Sequence, residues 1–313
     1  GLRLCCPQCG SRLLGIAGRL HCIKVASHEY HKVDGIPILV NPERSIFRAD
    51  DFFSQAPTTF KESGTLAMQI ARWLPSPSRN VSGAACYARL ASELRSRAPE
   101  RRRVLVVGSG DGSANYGDLL GVDHAVILET DVSLAGSAKI VCDGSDLPFE
   151  DGSFDLIVCV AVLEHVLEPH RCVEEFHRVL RSDGIVYAST PFMQQVHMGE
   201  YDFTRFTRSG HRWLFRNFDE LSSGMSTGPA SALVWSLEYF LMSWSASVAW
   251  RRIAKALTRI LFGWLNWLDH LLAYRAPALD GAGGFYFIGR RAEQVTLQAR
   301  DIVGYYRGAD DRK

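Results

Sequence analysis

Net charge is nearly absent from this chain: 35 Lys and Arg residues face 34 Asp and Glu, leaving +1 at pH 7. That balance gives no electrostatic footprint for a polyanion, so nucleic acid is not an expected partner. The basic runs are local, and Arg101-Arg102-Arg103 reads as the solvated entry to a strand. An apolar core is also missing from the first twenty residues, which hold arginines and glycines instead. No signal peptide is expected there, and a cytoplasmic location follows. Cys86, Cys142, Cys159 and Cys172 are scattered through apolar runs and read as small core residues in a reducing compartment. What remains is an ordinary globular composition, 47% hydrophobic and 22% charged, in 313 residues that can hold one large domain and a small one.

Five stretches divide the chain. Residues 1–42 alternate short apolar stretches with Gly and Pro, the pattern of small β-hairpins. Residues 43–100 read as linking helices, with apolar residues at helical spacing between Tyr87 and Arg97. Residues 101–228 hold the core. Val104 to Val107, Ala125 to Leu128, Phe154 to Val160 and Ile185 to Ala188 are continuous apolar runs, suited to strands buried on both faces. A helix with Val173, Phe176, Val179 and Leu180 on one face separates the last two and ends at Asp183-Gly184. Strands alternating with helices predict a mostly parallel sheet with right-handed crossovers, a Rossmann-like α/β fold. Residues 229–280 form an apolar, Trp-rich insertion, and residues 281–313 hold a last strand (Gly284–Arg290) and a charged tail.

Gly108-Ser109-Gly110-Asp111-Gly112 follows the first buried strand directly. Glycines there permit positive φ and let backbone amides approach an anionic group. Alone, the turn fits a tight strand-to-helix connection or a dinucleotide site equally well. Order and spacing add to it. Glu129 and Asp131 end the second strand, about twenty residues on, where a carboxylate can accept both ribose hydroxyls. Asp143, at another strand end, is a candidate for the adenine amino group or for a simple turn cap.

With the glycine turn (108–112), Asp143 to Phe149 ending in Leu-Pro-Phe, Phe154-Asp155, Leu163-Glu164-His165-Val166 and Arg178 to Gly184, the sequence resembles the class I S-adenosylmethionine-dependent methyltransferases. The likeness runs from about residue 103 to 207 and is nearest the branch of quinone-ring and small-molecule enzymes, methyltransferase type 11. It implies a seven-stranded, mostly parallel sheet with helices on both faces and S-adenosylmethionine as cofactor. It also implies that Gly108, Ser109, Gly110 and Gly112 line the methionine end. Glu129 or Asp131 would hold the ribose, Asp143 and Gly144 would flank adenine, and Val160 would begin the backbone covering the methionyl part. One departure is Val106, where the family carries an acidic residue two before the first glycine. The other is Asp183-Gly184 in place of Gly-Gly.

The donor already carries an activated methyl group, so a general base is optional. Candidate bases are His165, beside Glu164, and His197, in the loop after the fourth strand. Tyr201, Asp202 and Arg205 share that loop and are candidates to touch the acceptor, with an Asp202–Arg205 brace as the plain alternative. The expected acceptor is a small molecule, a glycan or a lipid-linked compound. Ala232 to Trp250 carries a single charge, Glu238, but a return to the sheet at Phe285 requires a second crossing, and residues 253–274 are too charged for one. A lid or homodimer contact through 229–275 is expected first, peripheral membrane attachment second. At the N-terminus, Cys6-Pro7-Gln8-Cys9 has zinc-knuckle spacing. Cys22 supplies a third thiolate, and His28 (or Cys5 or His21) the fourth ligand, since Val25 stands where a second Cys-x-x-Cys would need one. The module resembles degenerate zinc ribbons fused to methyltransferases, many of which have lost the metal. The competing class is a non-catalytic subunit of the same fold, serving protein or membrane contacts.

Overall fold

The computed structural model describes residues 2–53, 76–110, 116–134 and 136–310. Part of the expected linking-helix stretch therefore lies outside the described residues. At the N-terminus β1 (Leu13–Ile16), β2 (Arg19–Cys22) and β3 (Glu29–Tyr30) form a small antiparallel sheet. A hairpin of β4 (Lys32–Val33) and β5 (Ile36–Leu39) follows. It turns on Asp34 and Gly35, at φ 49° and 83°, as the mirror-image turn of a tight hairpin requires.

After α1 (Ala49–Phe53) and α2 (Gly83–Arg95) come β6 (Arg103–Val107), β7 (Val126–Asp131), β8 (Ile140–Cys142) and β9 (Phe154–Val160). Then come α3 (Pro169–Val179), β10 (Leu180–Pro191), α4 (Arg208–Leu214), β11 (Phe218–Thr227), α5 (Pro229–Met242), α6 (Val248–Phe262) and β12 (Gly284–Arg291). Among the described residues nine strands make one sheet in the order β11-β12-β10-β9-β6-β7-β8-β5-β4. Pairing is parallel from β10 through β5, and β12 is antiparallel to β10 and β11. Seven of these strands are the expected Rossmann-like set; β4 and β5 extend its edge from the N-terminal module.

The apolar runs pack as period-2 chemistry dictates. Val104 and Val106 of β6, Leu156 and Val158 of β9, and Ile185 and Tyr187 of β10 join α2 residues Leu90, Ala91 and Leu94 on one face. Their neighbours Leu105, Ile157 and Val186 meet Val173 and Phe176 of α3 on the other. The helix α3 starts with Pro169 in its first turn, where the missing N–H costs nothing. It ends at Val179, before Asp183-Gly184, because fully buried Leu180 already pairs with Phe154 in the sheet.

The insertion between β11 and β12 pairs α5 with α6 and continues through short helical segments that include Asp269–Leu272. Glu238 on α5 is fully buried and accepts from Arg259 Nε on α6 at 2.9 Å. Asp269 closes the start of α5, accepting from the Ala230 and Ser231 amides at 2.9 and 3.0 Å. A Cβ at Gly228 would stand 2.2 Å from its Oδ1, so glycine is needed there. Among the described residues no helix is long and apolar enough to cross a membrane.

Candidate functional site

The sheet order reverses between β6 and β9, and open α/β sheets bind ligands outside the strand carboxyl ends at such a point. A cavity of about 980 Å³ lies there, at the upper end of the ~300–1,000 Å³ usual for small-molecule sites. Gly108 and Gly110 turn the chain at φ 75° and 64°. A Cβ on Gly108 would come 2.2 Å from a methyl of Val162 on the facing loop, so strand and loop approach this closely only across glycine. The amides of Gly108 and Ser109 donate to the Thr130 carbonyl at 2.9 and 3.0 Å, which pins the turn to the end of β7.

The two acidic candidates on β7 separate cleanly. Asp131 lines the cavity, is 5% exposed, and accepts from the Gly110 amide at 2.8 Å. Burial, opposed by the amides of Gly110, Val132 and Ser133, pushes its carboxyl up to about 6. Glu129 points elsewhere: it accepts from the Tyr116 and Ser137 hydroxyls, each at 2.7 Å, and does not line the cavity. Asp143, Gly144 and Val160 line the same space. Asp143 is braced, accepting from the Ser145 amide at 2.9 Å and from the Ser45 hydroxyl at 2.7 Å. Gly112 lies outside the described residues.

Several lining residues carry no sequence signal. Arg44 and Phe47 reach the cavity from the segment after β5, and Phe47 stacks on Tyr201 with centroids 5.7 Å apart. Ala161, at the mouth of β9, holds φ 55°, a left-handed conformation that costs a non-glycine residue about 1–3 kcal/mol and often marks a functional turn.

On the acceptor side, His165 and Tyr201 line the cavity, whereas His197, Asp202 and Arg205 stand just behind it. Asp202 is held by Arg205 and by the His197 amide, the latter at 2.9 Å. Burial works to raise Asp202, but these donors keep it at about 2. The pair therefore acts as a brace for the loop. His165 and His197 meet edge to face, 4.9 Å apart. Both have their pKa lowered by burial, with the Tyr201 carbonyl opposing for His165 and Asp202 for His197. Fully buried Glu164 lies against both rings, its Oε1 at 3.7 Å from His165 Nε2 and 3.9 Å from His197 Nε2.

Away from the cavity, the N-terminal module brings its four expected ligands together. Cys6 Sγ stands 3.3 Å from His28 Nδ1 and Cys9 Sγ 3.5 Å from Cys22 Sγ, and all four ligand atoms lie within 4.8 Å of one another. Cys5 is outside this group, bridging to Arg12 while its amide donates to Pro148. Hydrogen bonds from Ser11, first of all from its backbone, lower the Cys9 thiol to about 6, whereas burial raises that of Cys6.

Fold and cavity define the class first: a Rossmann-like α/β domain with a glycine turn and two carboxylates around one crevice. A family profile described as "Methyltransferase domain" matches residues 105–188. The chain is 34% identical over 121 residues to a demethylmenaquinone methyltransferase of Clavibacter sepedonicus, covering 34% of this chain and 47% of that protein. It is 35% identical over 99 residues to an uncharacterized methyltransferase of a Mycobacterium species (strain JLS), covering 29% and 39%. The chain thus spans less than half the length of the curated relatives it matches. Among solved structures, geranyl diphosphate C-methyltransferase of Streptomyces coelicolor is 12% identical, with 66% of this chain and 76% of that chain covered at a TM-score of 0.41. Residues 105–188 are a class I S-adenosylmethionine-dependent methyltransferase domain.

Proposed function

We propose that this chain transfers a methyl group from S-adenosylmethionine to a small-molecule, glycan or lipid-linked acceptor. The observation that carries the reading is the convergence of the Gly108–Gly110 turn, Asp131 and Asp143 on one cavity. The Gly108-Ser109-Gly110 turn, whose lack of Cβ at Gly108 and Gly110 leaves room beside the backbone, lies against the methionine end, and Asp131 rather than Glu129 takes the ribose hydroxyls. Asp143 and Gly144 flank adenine, and Val160 walls the donor. The acceptor enters beside His165 and Tyr201. Its nucleophilic atom attacks the sulfonium methyl carbon; the C–S bond breaks with its electron pair going to sulfur, leaving S-adenosylhomocysteine. The acceptor's proton leaves to solvent or to the histidine pair, His165 at the cavity wall and His197 behind it. Alignment and exclusion of water supply most of the acceleration in such a step.

Three thiolates and one imidazole are a donor set for tetrahedral zinc, whose ~2.3 Å bonds to sulfur set ligand atoms about 3.8 Å apart. The separations of 3.3 and 3.5 Å in the N-terminal module fit, so Cys6, Cys9, Cys22 and His28 would hold zinc as a structural cross-link. Cys86, Cys142, Cys159 and Cys172 are buried as small core residues, which supports a cytoplasmic location. Leu233 and Phe240 on α5, Ile253 and Leu257 on α6, and Trp244 and Trp264 just beyond the ends of those helices are exposed, which supports a lipid-linked acceptor and contact with a membrane surface or a second copy.

Calorimetry with S-adenosylmethionine tests the donor site: micromolar binding is expected, and no measurable heat would favour a non-catalytic subunit. Methyl-labelled donor incubated with the protein and separated lipid and aqueous extracts then reads the acceptor. Label confined to the protein would defeat the catalytic reading.

A further inference from the structure

We propose that Glu164, His165 and His197 bind one divalent transition-metal cation at the edge of the donor cavity. The inference goes beyond the methyl-transfer reading, and cation binding itself does not depend on it. With the cation bound, both Nε2 atoms are ligands and the acceptor's proton goes to solvent rather than to the imidazoles.

The argument rests on which atoms are already engaged. His165 Nδ1 lies 2.6 Å from the Tyr201 carbonyl oxygen, an acceptor only, so Nδ1 carries the hydrogen and donates it. His197 Nδ1 lies 3.3 Å from Asp202 Oδ2 and 3.4 Å from the Gln195 carbonyl, again acceptors only. In the neutral tautomers this fixes, both Nε2 atoms present lone pairs, and both face Glu164 Oε1, at 3.7 and 3.9 Å. Glu164 is fully buried, and neither of its carboxylate oxygens accepts a hydrogen bond of normal geometry. Two imidazole lone pairs and a carboxylate turned toward one point repel each other unless a proton or a cation sits between them. Burial raises the Glu164 carboxyl to about 8, so a bound ion would take the place of a proton.

A metal ion supplies that charge. Backbone carbonyl and carboxylate partners on the far nitrogen are what orient metal-bound imidazoles elsewhere. With bonds of about 2.0–2.2 Å, ligand atoms on one ion stand about 3.0–3.5 Å apart. The Glu164–imidazole separations are 3.7 and 3.9 Å, and all three ligand atoms lie within 4.8 Å of one another, so modest side-chain movement would close the site. Two imidazoles and one carboxylate suit Mn2+, Fe2+, Co2+, Ni2+ or Zn2+ over Mg2+ or Ca2+, and three protein ligands leave positions open. His165 lines the cavity, so an open position faces the acceptor's path. An acceptor bearing a hydroxyl, phenol or carboxyl oxygen would be recognised there, the cation holding the oxygen and easing loss of its proton. The loop brace Asp202–Arg205 then has a purpose: it fixes the ring of His197.

The test uses the whole chain, stripped with EDTA and titrated with Mn2+, free ion being read from its aqueous EPR signal. One Mn2+ per chain is expected in the wild type and in Cys9→Ser, whose lesion lies in the other cluster. Glu164→Gln and His197→Gln should each weaken binding by more than about tenfold. Equal binding in those variants, or no Mn2+ binding by the wild type, overturns the proposal. If Glu164→Gln does not fold, the wild type alone still decides: Mn2+ must broaden the ring NMR signals of His165 and His197 before those of His31 and His124. Calorimetry with S-adenosylmethionine on the same samples keeps the two readings apart. Manganese bound without donor binding defeats the donor site and leaves the cation site standing.

Discussion

Asp131→Asn separates the needs of the ligand from those of the fold. The carboxyl is 5% exposed, and burial raises it from 3.8 to about 6. Keeping the group charged at pH 7 therefore costs the folded state up to about 3 kcal/mol. The native state binds this proton more tightly than the unfolded chain does. Acidification from pH 7 through 6 toward 4 therefore removes the penalty, so this group alone makes the protein more stable on that side. Asparagine keeps an oxygen for the Gly110 amide, now 2.8 Å from the carboxylate, and never carries the charge. Urea melts at pH 7 should show Asp131→Asn more stable than wild type by about 1–3 kcal/mol, the gap closing near pH 4. Donor affinity should move the opposite way, falling about 10- to 100-fold with the loss of charged hydrogen bonds worth about 1.5–3 kcal/mol. Glu129→Gln, whose side chain serves Tyr116 and Ser137, should leave donor affinity within about twofold. A less stable Asp131→Asn, or unchanged donor binding, would refute the reasoning.

Gly108→Ala sets a Cβ 2.2 Å from Val162 at φ 75°; urea melts should read a loss of about 1–3 kcal/mol, and calorimetry a loss of donor binding. Chelation, or Cys9→Ser, should release zinc measurable by elemental analysis and lower the melting temperature by several degrees, each ~1 kcal/mol being worth about 2–4 °C at this size. His211 is 3% exposed among Phe206, Phe215 and Phe287, and burial lowers it to about 3. Its folded pKa lies below the unfolded value, so its contribution is intact above pH ~6.5 and lost at about 1.4 kcal/mol per pH unit toward 3. His211→Phe should flatten that acid limb, and an unchanged pH profile would contradict the burial argument.

Strands buried on both faces were legible because their chemistry is local: Val104 to Val107 and Phe154 to Val160 read as apolar runs wherever they end up. The edge strand β11 (Phe218–Thr227) is half-polar and half-exposed, so the sequence reading does not single it out. Distance along the chain hid the rest. Ser45 meets Asp143 across 98 positions, and Phe47 meets Tyr201 across a wider gap still, contacts that no local period records. The choice between Glu129 and Asp131 also needed the fold, since two residues apart on one strand they differ only in what each can reach. His28 could be proposed as a ligand on spacing alone, but its convergence with Cys6, Cys9 and Cys22 depends on how β2 and β3 pair.

The parallel pairing of β5 with β8 decides how this protein can be cut. A fragment beginning at residue 103 would retain every recognised methyltransferase motif, yet β8 would become a bare edge, open to pairing with other chains. Its crevice would lose Arg44 and Phe47 from the wall, and Asp143 would lose the hydroxyl that steadies it. Any trimmed form intended to keep the donor pocket closed must carry the amino-terminal residues with it.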